Sequence, residues 1–146
     1  MGHELRGDDA AGVTVARALQ TLIATSDRAD RSSAVLVIDA GPVPENHTGV
    51  LRRFRPDLVL LIDAAQMDGS PGTVRWVAWQ NTSGFSASTH TLPPYILADY
   101  LTAELGGEIV LIGIQPADTS IGGPLSPAVQ ASIDELVGGL VQVLGF

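Results

Sequence analysis

Three aspartates and one histidine are the residues whose types and spacing could support catalysis in this sequence. Asp9 stands directly after Asp8 at the beginning of a helical pattern. Asp39 and Asp63 each follow an apolar run, and His90 lies in a polar loop. Carboxylate and imidazole groups suit a first-row ion such as Ni²⁺ or Zn²⁺, and a carboxylate can also act as a general base. The sequence has no cysteine, so any metal ion would have only oxygen and imidazole ligands.

Each of these residues also has an ordinary structural explanation. An aspartate at the beginning of a helix can accept backbone N–H bonds and interact with the helix dipole, which explains Asp8 and could explain Asp9. An acid at the end of a strand, such as Asp63, often orders the following loop. His90 taken alone would be a solvated imidazole. Only a common location would favour a shared site.

Alternating helix and strand patterns indicate such a location. Apolar, strand-like runs cover residues 34–38, 58–62, 73–79 and 108–114, and helical patterns cover residues 9–24, 44–57 (a short helix ending by Arg55), 95–105 and 126–144. This alternation predicts a mostly parallel sheet with helices on both faces. Ligands of such sheets bind at the carboxyl ends of the strands, where Asp39 and Asp63 would lie and which the His90 loop could reach.

Composition limits the class of protein. The 146 residues fit one domain, residues 1–146, with a net charge of −8 and arginine as the only basic residue besides histidine. Such a charge disfavours a nucleic-acid partner. We expect no membrane span and no secretory leader, because the sequence has neither a long apolar run nor a basic-then-apolar start. The lack of cysteine fits a reducing compartment, and we predict a cytoplasmic protein.

The stretch GHELRGDDAAG at residues 2–12 resembles the GN-x-x-x-x-DD-x-x-G signature of the hydrogenase maturation proteases, with His3 in place of asparagine. These endopeptidases remove a C-terminal extension from the large subunit of [NiFe]-hydrogenases after nickel insertion. Further similar blocks follow in the family's order: IDAGPVPEN (38–46), RPDLVLLIDAAQMDGSPG (56–72), STHTLPP (88–94) and LIGIQP (111–116). The resemblance covers nearly the whole chain, and its PEN and GIQP details are most similar to the branch serving membrane-bound, hydrogen-evolving hydrogenases.

The resemblance implies roles for individual residues. The family's nickel-contacting positions fall on Asp9, Asp63 and His90, and its catalytic acids on Asp9 and Asp63, with Asp39 in a supporting role. The implied partner is a [NiFe]-hydrogenase large-subunit precursor. Its Ni²⁺ would arrive with the substrate, so we expect no permanently bound cofactor, although Zn²⁺ or Cd²⁺ could occupy the same site. The sequence leaves open the oligomeric state and the division of roles among the site residues.

The implied fold is a three-layer α/β/α arrangement with a twisted, mostly parallel sheet. The family's first strand lies inside that sheet and has no counterpart here, because only Met1 precedes the 2–12 stretch. An alternative function is therefore a non-catalytic relative that docks on the precursor or binds nickel without cutting. A general nickel carrier is less favoured, because carriers often have histidine-rich tracts and this chain has three scattered histidines.

Overall fold

The computed structural model describes residues 1–26, 35–78 and 94–145. The helices are α1 (Ala11–Thr25), α2 (Thr48–Phe54), α3 (Pro94–Leu105) and α4 (Pro127–Leu144). The strands are β1 (Leu58–Ala64), β2 (Val74–Val77) and β3 (Glu108–Ile114). Short 3-10 turns over Gly7–Ala10 and Pro44–His47 lead into α1 and α2. In the part of the chain described, no helix is long and apolar enough to cross a membrane.

The three strands form one mixed sheet in the order β1-β3-β2. β1 runs parallel to β3, with Asp63 opposite Gly113, and β2 runs antiparallel to β3. The strands predicted over 58–62 and 108–114 are thus confirmed as β1 and β3. β2 is shorter than the strand predicted over 73–79. Within the described residues no strand precedes α1, in agreement with the strand-deficient sheet that the sequence predicts.

Helices cover both faces of this sheet, which gives the predicted three layers. On one face, α1 and α4 bury their apolar sides around the end of β3, in a cluster that includes Val15, Ile114 and Ile133. On the other face, α3 packs Leu97 and Leu101 against alternate residues of β1 and β3. Because β1 and β3 have helices on both faces, their sequences are nearly continuous apolar runs.

The strand predicted over 34–38 is wrong for residues 35–38, which form no strand. A strand needs a neighbouring backbone with free hydrogen-bonding groups. Residues 35–38 have no such neighbour within the ranges that the structure describes, and the hydrogen bonds that link this region to the sheet are made by Met1 and Gly2. The Met1 ammonium donates to the carbonyl of Ile62 in β1 at 2.6 Å, and the Gly2 N–H donates to the carbonyl of Gly41 at 3.0 Å. Residues 35–38 still contribute to the core, because the half-buried Val37 packs against the apolar cluster between α1, α4 and β3.

Candidate active site

Asp9 lies in the 3-10 turn that precedes α1, and its side chain is almost completely buried. Its Oδ2 accepts a hydrogen bond from the backbone N–H of His3 at 3.1 Å. Gly2 packs so closely on Asp9 that a Cβ atom there would lie 1.9 Å from the Asp9 carbonyl oxygen. The turn over residues 2–6 is therefore fixed directly against this carboxylate. His3 begins this turn, since its carbonyl accepts the Arg6 N–H at 3.0 Å.

Asp8 has a different role from Asp9, although the two are adjacent. Its fully buried carboxylate accepts three backbone N–H bonds, from Ala117 at 2.7 Å, Asp118 at 3.1 Å and Ser126 at 2.7 Å. Burial alone would raise the pKa of Asp8, but these three N–H groups outweigh it and lower the pKa. Neither aspartate caps α1, so that expectation was wrong. Asp8 instead holds the chain that follows β3 and the N-cap residue of α4.

Asp63 lies near the end of β1 and is partly buried, with its Oδ1 shielded from solvent. Its Oδ1 has no hydrogen-bond partner in the described part of the chain. Burial raises the pKa of this carboxyl to about 6, the Met1 ammonium opposes the rise, and the nearby charge of Asp9 adds to it. A buried carboxylate oxygen without a partner is costly, so it is characteristic of a binding or catalytic group.

Gly12 explains why Asp9 and Asp63 come together. It is the glycine of the DD-x-x-G motif, and a Cβ atom on it would lie 2.1 Å from the carbonyl oxygen of Ile62, the residue before Asp63. Real Cβ atoms do not approach a backbone oxygen so closely. The missing side chain therefore allows the first turn of α1 to lie directly on the end of β1. In this way the motif brings one acid from a helix start beside another from a strand end.

Asp39 lies close to this pair but has its own partners. Its Oδ2 accepts a hydrogen bond from Arg17 Nε at 2.7 Å, and its Oδ1 accepts one from the Gly41 N–H at 3.2 Å. Among residues 1–26, 35–78 and 94–145, no three acid, histidine or cysteine side chains are placed together to hold a metal ion. In this part of the chain, Asp39 therefore does not form a three-ligand group with Asp9 and Asp63. Its supporting role in catalysis stays a prediction.

His90 lies outside the described residues, within 79–93. The predicted set of Asp9, Asp63 and His90 is therefore represented by its two acids. They provide carboxylate oxygens from two different elements at one end of the parallel β1–β3 pair. The histidine stays a prediction from the sequence.

Sequence reasoning did not single out Gln115, which organises the chain after β1. Its buried Oε1 accepts the backbone N–H of Met67 at 2.6 Å, and its Nε2 donates to Oε1 of Gln66 at 2.8 Å and to the Pro116 carbonyl at 3.2 Å. The signal available was the GIQP block, in which a glutamine directly follows a buried strand. Through these bonds, Gln115 holds Gln66 and Met67, the residues that follow β1 and Asp63.

The site has the chemistry of a cation-binding acid pair. Two nearby carboxylates, one with an unpartnered oxygen and a raised pKa, attract a positive ion or share a proton. The Met1 ammonium is already subject to this attraction. Burial lowers its pKa, whereas the charges of Asp63, Asp39 and Asp9 raise it, so all three acids act on one point. The arrangement can bind a divalent ion or activate a water molecule for hydrolysis.

Comparison with known proteins defines the class. The HycI hydrogenase maturation protease profile matches residues 13–143. One relative, from Methanocaldococcus jannaschii, bears the name of a hydrogenase maturation protease. It is 35% identical to this chain over 99% of this chain and 85% of its own length. The hydrogenase 3 maturation protease of Escherichia coli is 30% identical over 92% of this chain and 81% of its own length.

The fold gives the same result. The crystal structure of a [NiFe] hydrogenase maturation protease HycI from Thermococcus kodakarensis superposes with a TM-score of 0.83 and 35% identity, covering 99% of this chain and 88% of that chain. The solution structure of the endopeptidase HycI from Escherichia coli superposes with a TM-score of 0.79. The chain belongs to the HycI family of hydrogenase maturation proteases. It is a peptidase of that type.

Proposed function

We propose that this chain is an endopeptidase that removes the C-terminal extension of a nickel-loaded [NiFe]-hydrogenase large-subunit precursor in the cytoplasm. The observation that carries the proposal is the buried, unpartnered Oδ1 of Asp63 beside the carboxylate of Asp9. These two acids, with His90, would contact nickel that is already bound to the precursor. The ion is thus part of the substrate, and it serves to recognise a precursor that is ready for cleavage.

Peptide hydrolysis defines what the site must do. Water adds its hydroxyl to the carbonyl carbon, the C–N bond breaks, and a proton moves to the leaving amine. One group must therefore take a proton from water, and a positive charge helps by stabilising the carbonyl oxygen. A carboxyl with a pKa of about 6, as at Asp63, can accept a proton near neutral pH. The nickel of the substrate would supply the positive charge.

A processing assay with purified, nickel-loaded precursor tests the proposal. We expect the wild-type chain to shorten the precursor, and Asp9→Asn, Asp63→Asn and His90→Ala each to slow cleavage by about 100-fold or more while leaving the protein folded. Asp99→Asn is the matched control, because Asp99 is an exposed acid on α3. Cleavage at the wild-type rate by all three variants would refute the assignment.

Two further measurements separate the alternatives. Co-purification of wild-type chain with uncut precursor, without shortening over hours, would support the docking relative over the peptidase. A precursor loaded with Zn²⁺, or left without metal, separates nickel-assisted from purely aspartic chemistry. If the metal-free precursor is cut as fast as the nickel form, the acids act without the ion. If only the nickel form is cut, the ion takes part in recognition or in the reaction.

A further inference from the structure

Arg17 joins two loops beside the acid pair. It lies on α1 with its side chain half exposed, and its guanidinium makes two ion pairs. Nε donates to Oδ2 of Asp39 at 2.7 Å, and Nη1 donates to Oε2 of Glu4 at 2.8 Å. Glu4 belongs to the turn that covers Asp9. Arg17 thus contacts both this turn and Asp39.

The charge of Asp39 reaches the site although its oxygens do not. Asp39 is one of three acids whose charge acts on the Met1 ammonium, together with Asp63 and Asp9. Both of its oxygens are nevertheless occupied, by Arg17 and by the N–H of Gly41. Asp63 contrasts with this, because its Oδ1 is unpartnered in the described part of the chain. Asp39 thus differs from Asp63 in having both an arginine and a backbone N–H as partners, and the arginine is the charged one.

We propose that Arg17 is a positioning residue that holds Asp39 out of the cation site and so limits its carboxylates to Asp9 and Asp63. This inference rests on the proposed function, since it concerns the same site. Three clustered carboxylates would bind a divalent ion from solution, whereas two bind it weakly. Arg17 thereby keeps the site available for the metal ion that arrives with the substrate.

Calorimetric titration of the full, metal-free chain with Cd²⁺ tests the inference. We expect Arg17→Ala to tighten Cd²⁺ binding by about three- to tenfold, because the substitution removes a nearby positive charge and frees Asp39 to approach the ion. In the double variant Arg17→Ala/Asp39→Asn, the affinity should return to within about twofold of wild type. Asp39→Asn alone should also stay within about twofold, because Arg17 already withholds this acid from the ion.

Arg52→Ala is the matched control. Arg52 is exposed to the same extent as Arg17, 52% against 54%, and pairs with Glu104 at 2.9 Å. It therefore changes the net charge equally, and we expect no change in Cd²⁺ affinity. Tightening by Arg52→Ala equal to that by Arg17→Ala would overturn the inference, as would tightening that persists in the double variant.

Two more outcomes are decisive. Unchanged or weaker Cd²⁺ binding by folded Arg17→Ala would overturn the inference. A large loss of affinity in Asp39→Asn alone would do the same, and this result does not depend on whether Arg17→Ala folds. The proposed function fails separately, if wild-type chain does not cut the precursor. Cleavage by wild type together with an unaltered Cd²⁺ affinity in Arg17→Ala would refute only the role of Arg17.

Discussion

The two adjacent aspartates of the motif should separate cleanly under mutation, because Asp8 holds the fold together and Asp9 serves the site. The perturbations are Asp8→Ala and Asp8→Asn, compared with Asp9→Asn. Asp8 is fully buried and accepts three backbone N–H bonds. Asp9 accepts one, from His3.

The magnitude follows from the number of donors left without a partner. A buried N–H that loses its acceptor costs about 1–3 kcal/mol. With partial relaxation, we expect Asp8→Ala to lower the free energy of unfolding by about 3–5 kcal/mol. Asp8→Asn keeps one acceptor oxygen and should cost about 1–3 kcal/mol. Asp9→Asn should cost less than about 1 kcal/mol and abolish processing instead.

Urea unfolding followed by circular dichroism at pH 7 measures these differences. The pH dependence adds a second check, because the pKa of Asp8 is lower in the folded protein than its ordinary value of 3.8. Its stabilising effect is therefore complete above pH 3.8 and is lost as the pH falls through the lower, folded value. The gap between wild type and Asp8→Asn should narrow in that acidic range. Equal stability of Asp8→Ala and Asp9→Asn at pH 7 would refute the reasoning.

Three further predictions concern the surroundings of the site. The pKa of Asp63 is raised from 3.8 to about 6, so folding becomes less favourable as the pH rises between these values. Asp63→Asn should therefore be more stable than wild type by about 1–3 kcal/mol at pH 7 and equally stable below about pH 4. A stability difference that does not change with pH in urea unfolding would contradict this. Gly12→Ala places a Cβ against the Ile62 carbonyl and should cost about 2 kcal/mol or more in thermal unfolding, whereas Gly138→Ala, where nothing lies within 4 Å, should be neutral or stabilising. Gln115→Leu leaves the Met67 N–H unpaired and should cost about 1–3 kcal/mol in urea unfolding, whereas Gln130→Leu, at an exposed glutamine of α4, should cost less than about 0.5 kcal/mol; similar losses for both would argue against the hydrogen bond as the cause.

Local patterns predicted those elements whose burial is visible in the sequence. β1 and β3 are apolar, branched runs packed by helices on both faces, and α4 begins at Pro127, one residue after the predicted start at residue 126. The run at 34–38 has the same pattern, yet residues 35–38 form no strand. An apolar run indicates that a segment is buried, but it does not indicate whether a partner strand lies beside that segment.

The candidate site was predictable in part for the same reason. Spacing located Asp63 at a strand end and Asp9 at a helix start, but it could not distinguish Asp9 from Asp8. That distinction depends on N–H groups more than 100 positions further along the chain. Arg17 and Gln115 also act through partners distant in sequence, on Asp39 and on the chain after β1. Tertiary hydrogen bonds of this kind leave no local pattern.

The contacts of Asp8 also bear on how the protein is made. They join positions 109 to 118 residues apart, from the turn before α1 to the start of α4. Contacts between such distant positions are slow to form, because a long loop must close first. On the ribosome, the turn carrying Asp9 emerges early but can be fixed only after Ser126 has emerged. We expect a growing chain to have no peptidase activity until the start of α4 has emerged.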